Sequence, residues 1–119
     1  RVEWSLVPQD MLPGEKGELS CLLVIRNGYH INAAEVSNPQ LIPTQCDLQG
    51  EGVIIEAVHY PRPSKFAAQS DIYEGEAEIR IRFSLSPELA LRPPMKLMLR
   101  YQPCDAHQCY PVRDIVLSV

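Results

Sequence analysis

The chain has 119 residues, 45% of them hydrophobic and 22% charged, and a formal net charge of −4. That length bounds one domain with its own core, and the composition is that of a soluble globular protein. The acidic balance gives no reason to expect nucleic acid or an anionic membrane as partner, and no apolar run approaches the ~20 residues of a membrane span.

In chain order, Val2–Val7 reads as a strand and lacks the apolar region and small-residue cleavage site of a signal peptide. If the protein is exported, its signal has been removed ahead of Arg1. Pro13-Gly14 turns the chain into a second strand-like run, Leu19–Arg26, and Asn27-Gly28 turns it again. Leu41–Leu48 and Val53–Tyr60 are the next strand-like runs, parted by Gly50 and Gly52. Pro61–Ser70 reads as neither strand nor helix, a length of loop that usually has a function or is disordered. Its one aromatic, Phe66, is either a local anchor on the surface or a flap over a neighbouring loop. Glu76–Leu85 carries the clearest alternation: Ala77, Ile79, Ile81, Phe83 and Leu85 fall on one face, with Glu78, Arg80, Arg82 and Ser84 on the other. That is the pattern of a half-buried antiparallel strand.

Ser86–Leu91 has room for one helical turn, with Ser86 as cap and Pro87 in the first position. Lys96–Tyr101 and Val112–Val119 then flank a short polar loop. Seven or eight short strands with turn chemistry at this spacing predict an all-β fold, an immunoglobulin-like β-sandwich of antiparallel strands. The eleven prolines fit edges and loops of such a fold. No repeat, low-complexity stretch or linker divides residues 1–119, so a single domain is expected.

The four cysteines divide unequally. Cys104 and Cys109 bracket Asp105-Ala-His-Gln108. If the flanking runs pair as an antiparallel hairpin, opposed Cα atoms lie roughly 4.5–5.5 Å apart, within the ~4.4–6.8 Å that a disulfide tolerates. A ring of about six residues contributes only ~2 kcal/mol, so the bridge suits redox exchange better than reinforcement. Cys21 lies in an apolar run and Cys46 near the end of another; two inert buried thiols are expected, with a Cys21–Cys46 bridge as the alternative.

Four stretches give the chain a family likeness: Gly28-Tyr-His-Ile-Asn32, Leu41-Ile-Pro-Thr44, Phe66-Ala-Ala-Gln-Ser-Asp-Ile-Tyr-Glu-Gly75 and Leu99-Arg-Tyr-Gln-Pro-Cys-Asp-Ala-His-Gln-Cys-Tyr-Pro111. In this order they resemble the N-terminal periplasmic domain family of the thiol:disulfide interchange protein DsbD, the last stretch most specifically. The resemblance implies an immunoglobulin-like fold with an active-site hairpin, and a protein-disulfide reductase that relays reducing equivalents in the periplasm. It implies that Cys104 and Cys109 are the redox pair, with Cys109 forming mixed disulfides and Cys104 resolving them. Phe66 takes the position of the aromatic in the cap loop. His30 and Asn32 take positions held by tyrosines in the best-known member. The implied partners are thioredoxin-like: a C-terminal domain of the same protein, periplasmic disulfide isomerases and cytochrome-maturation thioredoxins. A membrane-embedded domain belongs to the full-length protein in that family.

Exchange requires a thiolate, a reachable target sulfur and a resolving thiol. Around the pair, a protonated His107 favours a thiolate and Asp105 opposes one. Tyr110 and Pro111 flank Cys109 with apolar surface, Tyr101 precedes the hairpin, and His59 reads as a strand-surface histidine. Without the helix N-terminus of thioredoxin-like sites, intrinsic reactivity is expected to be sluggish until a partner docks. Two other readings remain: a binding module with a purely structural disulfide, and a Cu(I) or Zn(II) site on Cys104, His107 and Cys109. No Gly-x-Ser-x-Gly elbow points to a hydrolase, no Gly-rich loop to a nucleotide, and the redox reading requires no cofactor.

Overall fold

The computed structural model describes residues 1–36, 38–66 and 70–119, except for the side chains of Phe66 and Ser70. Its described residues form eleven strands: β1 (Val2–Val7), β2 (Lys16–Val24), β3 (His30–Asn32), β4 (Gln45–Gln49), β5 (Val53–His59), β6 (Ser64–Phe66), β7 (Ser70–Tyr73), β8 (Glu76–Leu85), β9 (Lys96–Tyr101), β10 (Pro103–Cys104) and β11 (Arg113–Ser118). They pair antiparallel throughout, in three sheets ordered β1-β2-β8-β5, β11-β9-β4 and β10-β3-β7-β6.

The first two sheets make the sandwich, and alternation in sequence explains why. Every inward residue of β8 is buried, Phe83 with 0% exposure, while Glu78, Arg80 and Arg82 stay in solvent. Leu19, Cys21 and Leu23 of β2 join this face from the neighbouring strand. Cys46 and Leu48 of β4 and Leu97 and Leu99 of β9 close over it from the second sheet. Ile31 of β3 and Tyr73 of β7 extend the same core into the small third sheet.

The edge strand β5 departs from plain alternation. Its register with β8 shifts between Ile55 and Ala57, which leaves Glu56 as the extra residue of a bulge. The Glu56 carboxylate lies 3.6 Å from the Lys16 ammonium and 3.9 Å from the Arg82 guanidinium.

Several sequence expectations shift in extent. The second strand begins at Lys16, and Val53–Tyr60 and Val112–Val119 shorten by a residue or so. Leu41–Leu48 is strand only from Gln45. Before that, Ile42 is held by side chains: Asn32 Nδ2 donates to its carbonyl (2.9 Å) and its amide donates to Gln102 Oε1 (3.4 Å). Pro61–Ser70 is not a plain loop. Ser64–Phe66 pairs with Ser70–Tyr73 as a hairpin whose residues 67–69 lie outside the described ones. Ser86–Leu91 forms no helix. It is a turn in which the Ser86 Oγ accepts from the Glu88 amide (3.3 Å) and the Ser86 carbonyl from the Leu89 amide (3.3 Å).

Candidate active site

The hairpin predicted around the cysteines forms. β9 pairs with β11 from Lys96↔Ser118 to Tyr101↔Arg113, and the chain between them runs out to the loop. Gln102 breaks the ladder and the chain then re-pairs as β10, with Cys104 opposite His30 of β3. Cys104 and Cys109 face each other as an isolated antiparallel bridge and are joined by a disulfide, Cα to Cα 4.0 Å. That is closer than the hairpin estimate from sequence.

The two sulfurs have unequal surroundings. Cys104 is 1% exposed, whereas Cys109 is exposed. The Cys104 Sγ sits 3.8 Å from the Gln102 carbonyl oxygen. A disulfide sulfur has no proton to donate, so this contact becomes a hydrogen bond only once the bond is reduced and Cys104 carries a thiol.

Asp105 organises the loop. Its Oδ1 accepts from the amides of His107 and Gln108, both at 2.8 Å, and its Oδ2 accepts from the Tyr110 hydroxyl. This is an Asx turn closed by a tyrosine. The Tyr110 hydroxyl and the two amides hold the Asp105 carboxyl down at about 2, and the carboxylate in turn pushes the Tyr110 phenol up. Asp105 is therefore a fixed negative charge next to Cys104. The like charge disfavours a Cys104 thiolate, and the waiting Gln102 carbonyl favours the thiol.

Tyr110 also accepts from Gln108 Nε2 (3.2 Å), and its ring lies 6.2 Å from that of Tyr29, tilted by 43°. Tyr29 and His30 arrive through the Arg26–Tyr29 turn, closed by a 3.0 Å bond from the Tyr29 amide to the Arg26 carbonyl. Gly28 takes φ +88° there, a value that an L side chain rarely adopts. Leu23, Ile25, Tyr29, His30, Tyr101 and Tyr110 help to line an open groove of about 820 Å³ beside the hairpin.

Most residues singled out from sequence come together here. His30 is the first residue of β3 and directly opposes Cys104. Burial lowers its pKa from the ordinary histidine range, while Glu74 and Asp105 work in the other direction. Asn32 is buried and serves as a bracket: its Nδ2 reaches Ile42 and Gln102, and its carbonyl accepts from the Thr44 hydroxyl (2.6 Å). His107 is exposed and contributes its amide to Asp105. Tyr101 is half-buried at the end of β9. The Phe66 side chain lies outside the described residues. His59 is exposed on β5 as expected. Among the described residues no cluster of three or more His, Cys, Asp or Glu could hold a metal, and the Cys104 and Cys109 sulfurs are spent on each other.

Gln102 escaped the sequence reading although it sits in the Tyr-Gln-x-Cys stretch. Its Oε1 accepts from Asn32 and Ile42, and its Nε2 donates to the Tyr110 carbonyl (3.3 Å), which ties β3, the segment before β4 and the hairpin together. A glutamine next to a redox loop was the available signal.

The family model described as "Thiol:disulfide interchange protein DsbD, N-terminal" matches residues 3–119. The chain belongs to that family. It is a thiol–disulfide exchange domain, in family terms a periplasmic one with thioredoxin-like redox partners. Its fold is similar to the crystal structure of the Neisseria meningitidis DsbD N-terminal domain in the reduced form. That similarity has a TM-score of 0.53 and 18% sequence identity, and covers 91% of this chain and 80% of that one. No curated protein matches the chain. Among the described residues no helix is long and apolar enough to cross a membrane.

Proposed function

We propose that residues 1–119 act as one protein-disulfide reductase unit that relays electron pairs through Cys104 and Cys109, between a thioredoxin-like donor and periplasmic acceptor proteins. The observation that supports this most is the asymmetry of the two sulfurs: Cys109 exposed, Cys104 buried. A docked partner's thiolate attacks Cys109 Sγ, and the Cys104–Cys109 bond breaks with the electron pair going to Cys104. Cys104 takes up a proton from solvent, and the resulting thiol donates a hydrogen bond to the Gln102 carbonyl. The partner's second thiol then attacks the mixed disulfide, releasing Cys109 and leaving the partner oxidised. Run in reverse against an acceptor disulfide, the same steps pass the two electrons on, with Cys109 attacking and Cys104 resolving.

The Asp105 charge and burial disfavour a Cys104 thiolate, and among the described residues no helix N-terminus lies at either sulfur, so intrinsic reactivity is slow and contact with a partner supplies the activation. The Tyr29–Tyr110 wall and the groove beside it offer the apolar surface such a partner covers. The Phe66 cap belongs to the same proposal. β6 and β10 are the opposite edges of the third sheet. On this reading Phe66→Ala removes the shield and speeds reduction of the bond by a small thiol. In the full-length protein a membrane domain feeds the donor.

The test is Cys104→Ser, its Cys109 first converted to a mixed disulfide with a small aromatic thiol as leaving group, mixed with a reduced thioredoxin-like domain whose own resolving cysteine is replaced. The expected product is a stable adduct through Cys109. An adduct that never forms, or a Cys109→Ser protein that exchanges electrons as fast as the unaltered one, overturns the reading in favour of a structural bridge.

A further inference from the structure

Cys21 and Cys46 take no part in the hairpin chemistry, yet the fold brings them together. Cys21 stands on β2 in the first sheet, in register with Trp4 and Ile79, and Cys46 stands on β4 in the second, opposite Leu99. Both point into the shared core, 0% and 6% exposed, and both are free. Facing sheets pack about 10 Å apart, so inward side chains from each meet near the mid-plane. Both belong to one continuous core cluster, and each thiol lies near enough to the other to shift its ionisation, Cys21 downward and Cys46, which burial also penalises, upward.

We infer that Cys21 and Cys46 are a second redox site, which a small-molecule disulfide oxidant converts into an intramolecular bond tying β2 to β4 across the sandwich. The route in is the edge. β4 ends its sheet, and edge strands open locally at lower cost than central ones. On opening, the Cys21 thiolate attacks one sulfur of the oxidant and expels the other half as a thiolate. Cys46 loses its proton and attacks Cys21 Sγ in the mixed disulfide, expelling the second half. The two cysteines lose two electrons, and the oxidant leaves as two thiols carrying the two protons. Bonded sulfurs fit the same apolar space as a pair of thiols, since free cysteine already behaves there as a small hydrophobe. The inference stands apart from the proposed role of Cys104 and Cys109.

The experiment uses the chain with Cys104→Ser and Cys109→Ser, which leaves Cys21 and Cys46 as the only thiols. After incubation with oxidised glutathione, the protein is unfolded in the presence of an alkylating agent and weighed. The expected result is loss of both thiols, a mass lower by two hydrogen atoms, and a melting temperature higher by several degrees. Adding Cys46→Ala abolishes the melting shift. Two thiols that persist after prolonged oxidation overturn the inference, as do glutathione adducts or intermolecular dimers in place of the internal bond. If the serine variant fails to fold, peptide mapping of the oxidised unaltered chain decides instead. A Cys21–Cys46 cross-linked peptide supports the inference and its absence overturns it.

Discussion

The hairpin pair and the core pair put the same side chain to work under opposite physics. Cys104 and Cys109 lie five residues apart at the end of a ribbon, bonded, with one sulfur in solvent. Cys21 and Cys46 come from different sheets, unbonded, with neither in solvent. Closing a ring of about six residues removes little entropy from the unfolded chain, ~2 kcal/mol, whereas a loop several times longer yields more. The hairpin bond is accordingly cheap to break and easy to reach, whereas the core thiols are reached only when the fold opens locally. Reactivity in this chain follows topology more than cysteine content.

The sharpest way to break that contrast is activity. Cys109→Ser should abolish electron exchange with a thioredoxin-like partner, while Cys21→Ala should leave the rate unchanged; insulin reduction coupled to the partner reads both. Next in size is Phe83→Ala, which removes the largest fully buried side chain of the core and should cost about 3–5 kcal/mol in urea unfolding. It should also speed alkylation of Cys21 and Cys46, because a loosened core lowers the cost of the local opening that exposes them. Reduction of the Cys104–Cys109 bond should cost about 2 kcal/mol in the same assay. A loss twice that size marks the bridge as a structural staple and removes the distinction between the pairs.

The smallest effect is a pH dependence confined to the loop. The Asp105 carboxyl falls from 3.8 to about 2 because Tyr110 and two loop amides bind its charged form. The folded loop therefore holds fewer protons than the unfolded chain between those values, so its order is complete above that window and is lost as pH falls through it. Amide exchange of His107 and Gln108 should accelerate there. Asp105→Asn should accelerate it at every pH and flatten the dependence.

Much of this arrangement was legible in the sequence. Glu76–Leu85 announced its strand because burial on one face imposes a period of two over ten residues. The Cys104–Cys109 bridge was legible because local spacing within a hairpin fixes its geometry. The third sheet was not, since Ser64–Phe66 is three residues long, polar and preceded by Pro61 and Pro63. Leu41–Thr44 misled in the other direction. It has strand-like side chains, but Asn32 and Gln102 take the Ile42 backbone groups that a neighbouring strand would have taken. Gln102 offered one signal, its place beside the redox loop. Its importance comes from joining three segments distant in sequence, which only the folded chain brings together.

The five-residue separation of Cys104 and Cys109 has a consequence for how the molecule is made. β2 and β8 must find each other across some sixty positions, as Leu19↔Ile81 illustrates, and non-local pairing of that kind is slow. Contact across a loop of ten residues or fewer takes about 100 ns or less. Four cysteines allow three ways of forming two bonds. In a nascent chain that meets an oxidant before it has folded, the nearest neighbours collide first. Once they are joined, the other two sulfurs within residues 1–119 have only each other, so order of encounter steers this stretch away from scrambled products.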